Sequence, residues 1–323
     1  MVSSIIHVRM KALITGAGGF IGSNLVQKLQ KDGWELNLLL QHNTNLNYKI
    51  YGTTYIYRGD IRKREDIHKA ISGVDIVFNL AAILPHHKAT ENEYQMVNTE
   101  GVRNILFYVE KMKIKRFIQV STVGIFDDPP SYYSLSKKRA EEILFKAYKE
   151  RKTPIIIVRP TIAYGPGDMR PGFLNLMRMI KRGLTVFVGD GNNFFHTVYV
   201  GNLVDGLVKV ATAEKAIGQD FIIGDDPCPR MKDIVFLMEK IIGKKNIPLS
   251  IPLPLARLLG YLFDILKRIK IPSLLNSQRV RFLSEDKKYN IQKAVKLLQW
   301  HPKIKLEEGL LKTYQWYVKE KLI

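Results

Sequence analysis

Short apolar runs alternate with longer amphipathic ones through the first half of the chain. Lys11-Ala12-Leu13-Ile14-Thr15 has the pattern of a buried strand. Leu25, Val26 and Leu29 follow at the spacing of one helix face. The same reading predicts strands at 36–40, 54–58, 75–80, 115–121 and 154–159. It predicts helices at 19–31, 63–71, 91–112 and 132–150. Strand and helix in alternation imply a parallel α/β sheet covered on both faces. After about residue 160 the pattern becomes irregular, broken at Pro166, Pro171, Pro227, Pro229, Pro252, Pro254 and Pro272. No internal repeat or low-complexity linker appears.

The length of 323 residues suits one large or two closely joined domains. A hydrophobic content of 46% excludes a disordered chain. Cys228 is the one cysteine, so no disulfide framework forms, and a reducing, cytoplasmic setting is expected. It stands between Pro227 and Pro229, outside any metal-ligand spacing, and no metal site is expected.

Fifty basic against thirty acidic residues give a net charge of +20, which attracts anions non-specifically. The basic residues are scattered, as in Arg62-Lys63-Arg64, with no aromatic-interleaved groove. A specific nucleic-acid partner is therefore not expected, and a lysine-rich surface is the preferred account. Residues 1–9 lack the apolar core of a signal peptide. Met10 stands just before the first strand, so they read as a dispensable extension. No run is long enough to span a membrane. The most apolar stretch, 253–270, has a basic end. A helix buried in the second domain or lining its pocket is the preferred reading, with peripheral contact at a membrane surface as the alternative.

Gly16, Gly19 and Gly22 lie between the first strand and the first helix, spaced three apart. The first allows a tight turn, the second a close backbone approach to a pyrophosphate, the third close helix–strand packing. The helix start then offers N–H groups to the phosphates. Tyr133 and Lys137 stand four apart, on one face of the helix expected at 132–150. A tyrosine hydroxyl has an ordinary pKa of ~10 and is a poor base at neutral pH. An ammonium one turn away favours the phenolate.

These motifs resemble the extended short-chain dehydrogenase/reductase superfamily, also called the NAD-dependent epimerase/dehydratase family. The likeness continues through Gly59-Asp60-Ile61, Asn79-Leu80-Ala81-Ala82, Val97-Asn98-Thr99, Ser121-Thr122, Val158-Arg159-Pro160 and Tyr164-Gly165-Pro166-Gly167. It implies a Rossmann-type doubly wound sheet with a smaller α+β substrate-binding cap. The first domain would be 10–165 with 203–223 returning to it, and the cap 166–202 and 224–323. It implies a cofactor held by Gly16, Gly19, Phe20, Ile21, Gly22, Gln41, His42, Asp60, Ile61, Leu80, Ala81, Ala82, Ser121, Tyr133, Lys137, Pro160 and Ile162. Tyr133 would move the substrate hydroxyl proton, Lys137 would tune it and hold the nicotinamide ribose, and Thr122 would bond the same oxygen. Ser121 competes for that last role; strand alternation turns the two side chains apart, and register favours Thr122. Asn98 would be a supporting residue, or simply a helix cap. Relatives often form homodimers through the helices at 91–112 and 132–150.

The second strand ends in Leu40-Gln41, where the family's aspartate and arginine would stand. The cofactor is written NAD(P), with a lean towards NADP because His42, Arg58 or Arg62 would suit a 2′-phosphate. Ile162 and Phe195 replace an asparagine and an arginine that bind sugar diphosphates in relatives, although Arg170, Arg178 or Arg182 would compensate from another direction. The likeness is nearer the 3-beta-hydroxysteroid dehydrogenase and dihydroflavonol reductase branch. It implies an NAD(P)-dependent oxidoreductase acting on a small-molecule secondary alcohol or ketone. A nucleoside-diphosphate-sugar epimerase or dehydratase is the alternative, and a non-catalytic dinucleotide sensor a third. His86 and His87 lie where relatives line the substrate mouth; being adjacent, they do not converge on a metal.

Overall fold

Seven strands, most of them buried on both faces, lie side by side in one parallel sheet. A computed structural model of the chain describes residues 10–85, 87, 89–268 and 276–323. The readings of residues 1–9 and of His86, and the last two residues of the 253–270 stretch, lie outside these.

In chain order the strands are β1 (Lys11–Thr15), β2 (Glu35–Leu40), β3 (Thr54–Arg58), β4 (Ile76–Asn79), β5 (Arg116–Val120), β6 (Ile155–Pro160), β7 (Ile162–Tyr164), β8 (Val186–Val188), β9 (Thr197–Tyr199), β10 (Asp220–Ile223) and β11 (Leu249–Ile251). The helices are α1 (Phe20–Lys31), α2 (Arg64–Ile71), α3 (Glu91–Tyr94), α4 (Gly101–Lys111), α5 (Tyr132–Arg151), α6 (Pro171–Lys181), α7 (Val200–Thr212), α8 (Met231–Ile242), α9 (Leu253–Arg268), α10 (Ser277–Ser284), α11 (Gln292–Leu298) and α12 (Leu306–Lys319).

The chain divides into two units. The first holds the chain through Thr161 with Leu203–Ile223 and Ile291–His301. Its sheet order is β10-β6-β5-β4-β1-β2-β3, the doubly wound Rossmann arrangement. The direction of winding reverses between β1 and β4, the place where sheets of this kind take ligands, in a crevice beyond the carboxyl ends of the strands. Val77, Phe117, Ile105 and Leu144 belong to the fully buried core under one face of the sheet.

The expected helix over 91–112 is interrupted. Gln95–Glu100 is a π-helical turn between α3 and α4. Apolar periodicity does not register one extra residue in a turn, and such turns cluster at functional sites. Two domain boundaries also differ from expectation. Ile162–Gly165 lies in the second unit, where β7 pairs with β9. Ile291–His301 lies in the first, because Lys293 Nζ bonds Asp220 Oδ1 of β10 at 2.8 Å while Ala294 and Leu298 are buried.

The second unit carries two small parallel pairs, β7 with β9 and β8 with β11. Tyr164 stacks on Phe173 with centroids 4.9 Å apart. A Cβ at Gly309 would stand 2.5 Å from Tyr164 Oη and 2.9 Å from Tyr199 Cδ2, so glycine there lets α12 approach both rings. No helix among the described residues is long and apolar enough to cross a membrane.

Candidate active site

The glycine turn forms one wall of the crevice. Gly16 adopts φ +71°, and a Cβ there would stand 2.7 Å from the Leu80 carbonyl carbon and from Ala81 N. Only glycine allows the β1 and β4 loops to touch in this way. A Cβ at Gly22 would collide with the Gly16 carbonyl oxygen, so the start of α1 packs directly on the turn. Gly19 occupies the N-cap of α1 and supplies no side-chain cap, so the amides that open the helix at Phe20, Ile21 and Gly22 have no side-chain partner from that position. Tyr48 donates its hydroxyl to Ala17 O at 2.9 Å, bringing the loop after β2 against the turn.

Beneath the crevice runs a row of buried polar side chains. Thr15, Asn79 and Gln119 occupy one register across β1, β4 and β5, and all three are fully buried. Thr15 Oγ1 donates to Asn79 Oδ1 and itself accepts from Ala81 N at 3.2 Å. Asn79 Nδ2 donates to Gln119 Oε1 at 2.7 Å, and Gln119 Nε2 to the Val120 carbonyl at 3.0 Å. Lys137 Nζ donates to that same carbonyl at 2.7 Å. The row thus links the glycine-turn strand to the lysine, with each amide satisfied at both ends.

Lys137 is buried on α5, and burial pulls its ammonium down to about 8 against the opposing charge of Glu141. Glu141 is held by Arg159, with Nε–Oε1 at 3.0 Å and Nη2–Oε2 at 2.5 Å. Arg159 also pairs with Asp220. Alternating charges therefore run from Lys137 back to β10.

Tyr133 lies in the first turn of α5, half-buried, with its ring edge-on to Tyr94 at 6.4 Å. Ser131 caps the helix by accepting from Ser134 N at 3.1 Å. Asn98 is not a helix cap. It sits in the π-helical turn, accepts from Ile83 N at 2.8 Å and donates to Ile83 O at 3.1 Å. It also donates to Ser136 Oγ at 3.0 Å, while Thr99 Oγ1 donates to Ser136 O at 2.8 Å. These bonds fasten the loop after β4 to the turn of α5 that bears Lys137.

Two hydroxyls follow β5. Thr122 Oγ1 accepts from Gly124 N at 3.0 Å, which leaves its proton for donation elsewhere. Ser121 Oγ is buried and meets no hydrogen-bond partner among the described residues. Thr161 Oγ1, one residue after Pro160, is in the same position and was not expected from sequence. A buried hydroxyl without a partner is costly, and a bound polar ligand would remove that cost.

On the β2–β3 side the basic residues are engaged. Arg58 Nη1 donates to the carbonyls of Gln41 at 3.0 Å and Thr44 at 2.5 Å. Arg62 binds Asp60 Oδ2 through Nε at 2.9 Å and Nη2 at 2.5 Å. Burial pushes the Asp60 carboxyl up, but the Arg62 hydrogen bonds and charge outweigh it and hold the group below its ordinary value. Gln41 and His42 are exposed at the end of β2. The Ile61 side chain is buried in the core facing Gly101, so it contributes to any ligand only through its backbone.

The remaining expected residues fall elsewhere. Ile162 begins β7 in the second unit, and its N–H donates to the His196 carbonyl at 3.0 Å. Phe195 is buried edge-on to Phe282 at 5.4 Å. Arg170 binds Asp168 through Nε at 2.6 Å and Nη2 at 2.8 Å. Arg178 Nε donates to the Leu322 carbonyl at 2.8 Å. Among the described residues no cluster of three or more His, Cys, Asp or Glu side chains is placed to hold a metal.

Residues 12–224 match the sequence model described as the NAD dependent epimerase/dehydratase family. The chain is 32% identical over 272 residues to an Escherichia coli O157:H7 protein named N-acetyl-alpha-D-glucosaminyl-diphospho-ditrans,octacis-undecaprenol 4-epimerase, covering 80% of each. It is 28% identical to the Candida albicans sterol-4-alpha-carboxylate 3-dehydrogenase, decarboxylating, covering 94% of this chain and 96% of that one. The fold resembles that of UDP-glucuronic acid 4-epimerase from Bacillus cereus in complex with NAD, with TM-score 0.78, 24% identity and coverage of 97% and 100%. The glycine turn, the sheet order and these likenesses together make the chain an enzyme of the NAD dependent epimerase/dehydratase family.

Proposed function

We propose that the chain binds NAD in the crevice beyond β1, β4 and β5 and oxidises or reduces a small molecule at a secondary alcohol or ketone carbon. One observation carries this reading. Lys137 is buried against the Val120 carbonyl, one helical turn after Tyr133, where β5 delivers Ser121 and Thr122.

The residues present suit a dinucleotide. Gly16, Gly19 and Gly22 keep the turn thin, and the first amides of α1 would hold a pyrophosphate. Asp60 and the end of β2 would receive the adenosine. Ser121 and Thr161 supply two buried hydroxyls that meet no partner among the described residues. Bound there, NAD supplies a two-electron hydride acceptor. Arg58 and Arg62 are tied to backbone carbonyls and to Asp60, which weakens both as ligands for the 2′-phosphate of NADP and favours NAD, with the exposed His42 as the remaining candidate for such a phosphate.

Tyr133 takes the substrate hydroxyl proton on its phenolate oxygen. Lys137 holds that phenolate by its positive charge. Thr122 donates its hydroxyl proton to the substrate oxygen, a bond that strengthens as charge builds there. A substrate with an apolar portion is favoured: by the resemblance Phe195 replaces a diphosphate-binding arginine, and Arg170 and Arg178 are engaged within the protein, while Arg182 stays exposed.

A second reading is epimerisation, in which the same Tyr133 takes the substrate proton and returns it, and NAD would serve as a hydride carrier with no net redox change. The 32% identity to a protein named as a 4-epimerase favours it. Nicotinamide absorbance with a panel of secondary alcohols and ketones decides between them. Net reduction of added NAD supports the dehydrogenase. Product inverted at one carbon, with cofactor retained and no net absorbance change, supports the epimerase. No conversion of any kind, with NAD bound, would refute both.

A further inference from the structure

Helix α9 is apolar on its outer side. In a helix at the surface of a water-soluble unit the large apolar residues usually face inward. Here the two buried residues, Ala256 and Gly260, are small, and Leu253 packs beside them. Ala256 is fully buried in a cluster with Val188 and Val280. A Cβ at Gly260 would stand 3.1 Å from Ser277 Cα, so α9 lies close against the start of α10. Asp264 then fastens the two helices by accepting from Ser277 N at 3.2 Å and from its hydroxyl. The outward residues are Leu255, Leu258, Tyr261, Leu262 and Ile265, between 46% and 64% exposed. At about 100° per residue they fall within an arc of roughly 120°. The five form one continuous strip on a single helix face instead of the scattered single residues usual at a surface.

We propose that this strip docks on the surface of an anionic lipid bilayer. Charge favours that occupant. Arg257 is exposed at the edge of the strip, and the chain carries a net charge of +20. An arginine beside an apolar arc on a basic chain suits a helix lying in the interface, with leucines among the acyl chains and cations at the headgroups. Size disfavours a second copy of the chain. A helix of this length is roughly 24 Å long, and a strip about 10 Å wide gives about 240 Å². A stable protein interface needs about 800 Å² from each partner. No helix among the described residues is long and apolar enough to cross the bilayer, so in this arrangement α9 would lie along it. The inference rests on α9 alone and does not depend on the reaction proposed above.

The test is co-sedimentation of the full-length chain with vesicles of phosphatidylcholine alone or containing phosphatidylglycerol. The chain is expected to sediment with the anionic vesicles, less so as salt is raised. L258E/L262E is expected to lower the partition coefficient at least about tenfold, since a charge enters hydrocarbon at two positions. L258Q/L262Q should reduce it in the same direction and by less. Both sites are exposed, so an unchanged melting temperature confirms that the fold is intact. Failure of the unaltered chain to sediment with anionic vesicles would overturn the proposal. So would equal partition of the variants. A dimer in sedimentation velocity that L258E/L262E abolishes, without vesicle binding by the unaltered chain, would assign the strip to a second copy instead.

Discussion

Lys137 Nζ donates to the carbonyl of Val120 at 2.7 Å, which anchors the ammonium beneath the end of β5 and beside the two hydroxyl residues that follow it. Val120 O accepts Gln119 Nε2 as well, so the polar row across the sheet helps to set the height of the lysine. Lys137 is charged only while its surroundings permit, because burial pulls it down to about 8.

The pH profile should show this. The ammonium form is lost as pH rises through about 8. If it supports the Tyr133 phenolate, kcat/KM falls along an alkaline limb near that value, since kcat/KM reports the free enzyme. A profile flat to about pH 10 would remove the charge from the account.

Stability should depend on the same group with a defined sign. In the unfolded chain a lysine titrates near ~10.4. Between about 8 and that value the unfolded chain binds more protons than the folded one, so stability rises with pH across the window. Lys137→Met should abolish this slope and lower turnover while leaving the protein no less stable at neutral pH. Denaturant titrations at several pH values check it.

Glu141→Gln should act on Lys137 at a distance. The carboxylate's charge raises the lysine, so its removal moves the alkaline limb to lower pH. Arg159 keeps Asp220 but loses its buried partner, and unfolding free energy should drop by about 3 kcal/mol. Loss of stability with an unshifted limb would show that Glu141 serves the fold alone.

Gly19→Val tests the nucleotide end. An added Cβ would stand 3.3 Å from the Gly16 carbonyl, a tight but tolerable approach, while the rest of the side chain would take the space of a pyrophosphate. Isothermal titration should show NAD affinity weakened by more than about tenfold with little change in melting temperature. In the unaltered protein NAD should bind more tightly than NADP, because Arg58 and Arg62 already have partners. Tighter NADP binding would reverse that assignment.

The reading from sequence reached the sheet, the glycine turn and the Tyr133–Lys137 helix because each rests on local spacing. Thr54–Arg58 forms the strand expected at 54–58, and Tyr132–Arg151 the helix expected at 132–150. What it missed depends on contacts between distant segments. Ile291–His301 returns to the first unit through Lys293 and Asp220, which stand 73 residues apart. That Arg58 is engaged with the Thr44 carbonyl and Arg62 with Asp60 is likewise visible only in three dimensions. Gln119 had a faint signal, a polar residue inside the apolar strand Arg116–Val120, as did Glu141, four residues beyond Lys137. Thr161 had none, since its unpartnered hydroxyl is a property of burial.

Turnover of Tyr133→Phe, measured beside its NAD affinity, tests the central claim most directly. The phenolate oxygen is the proposed proton carrier, and the ring can stay where it is without it. Turnover should fall at least about 100-fold while NAD affinity stays nearly unchanged. Turnover comparable to that of the unaltered enzyme would contradict the account.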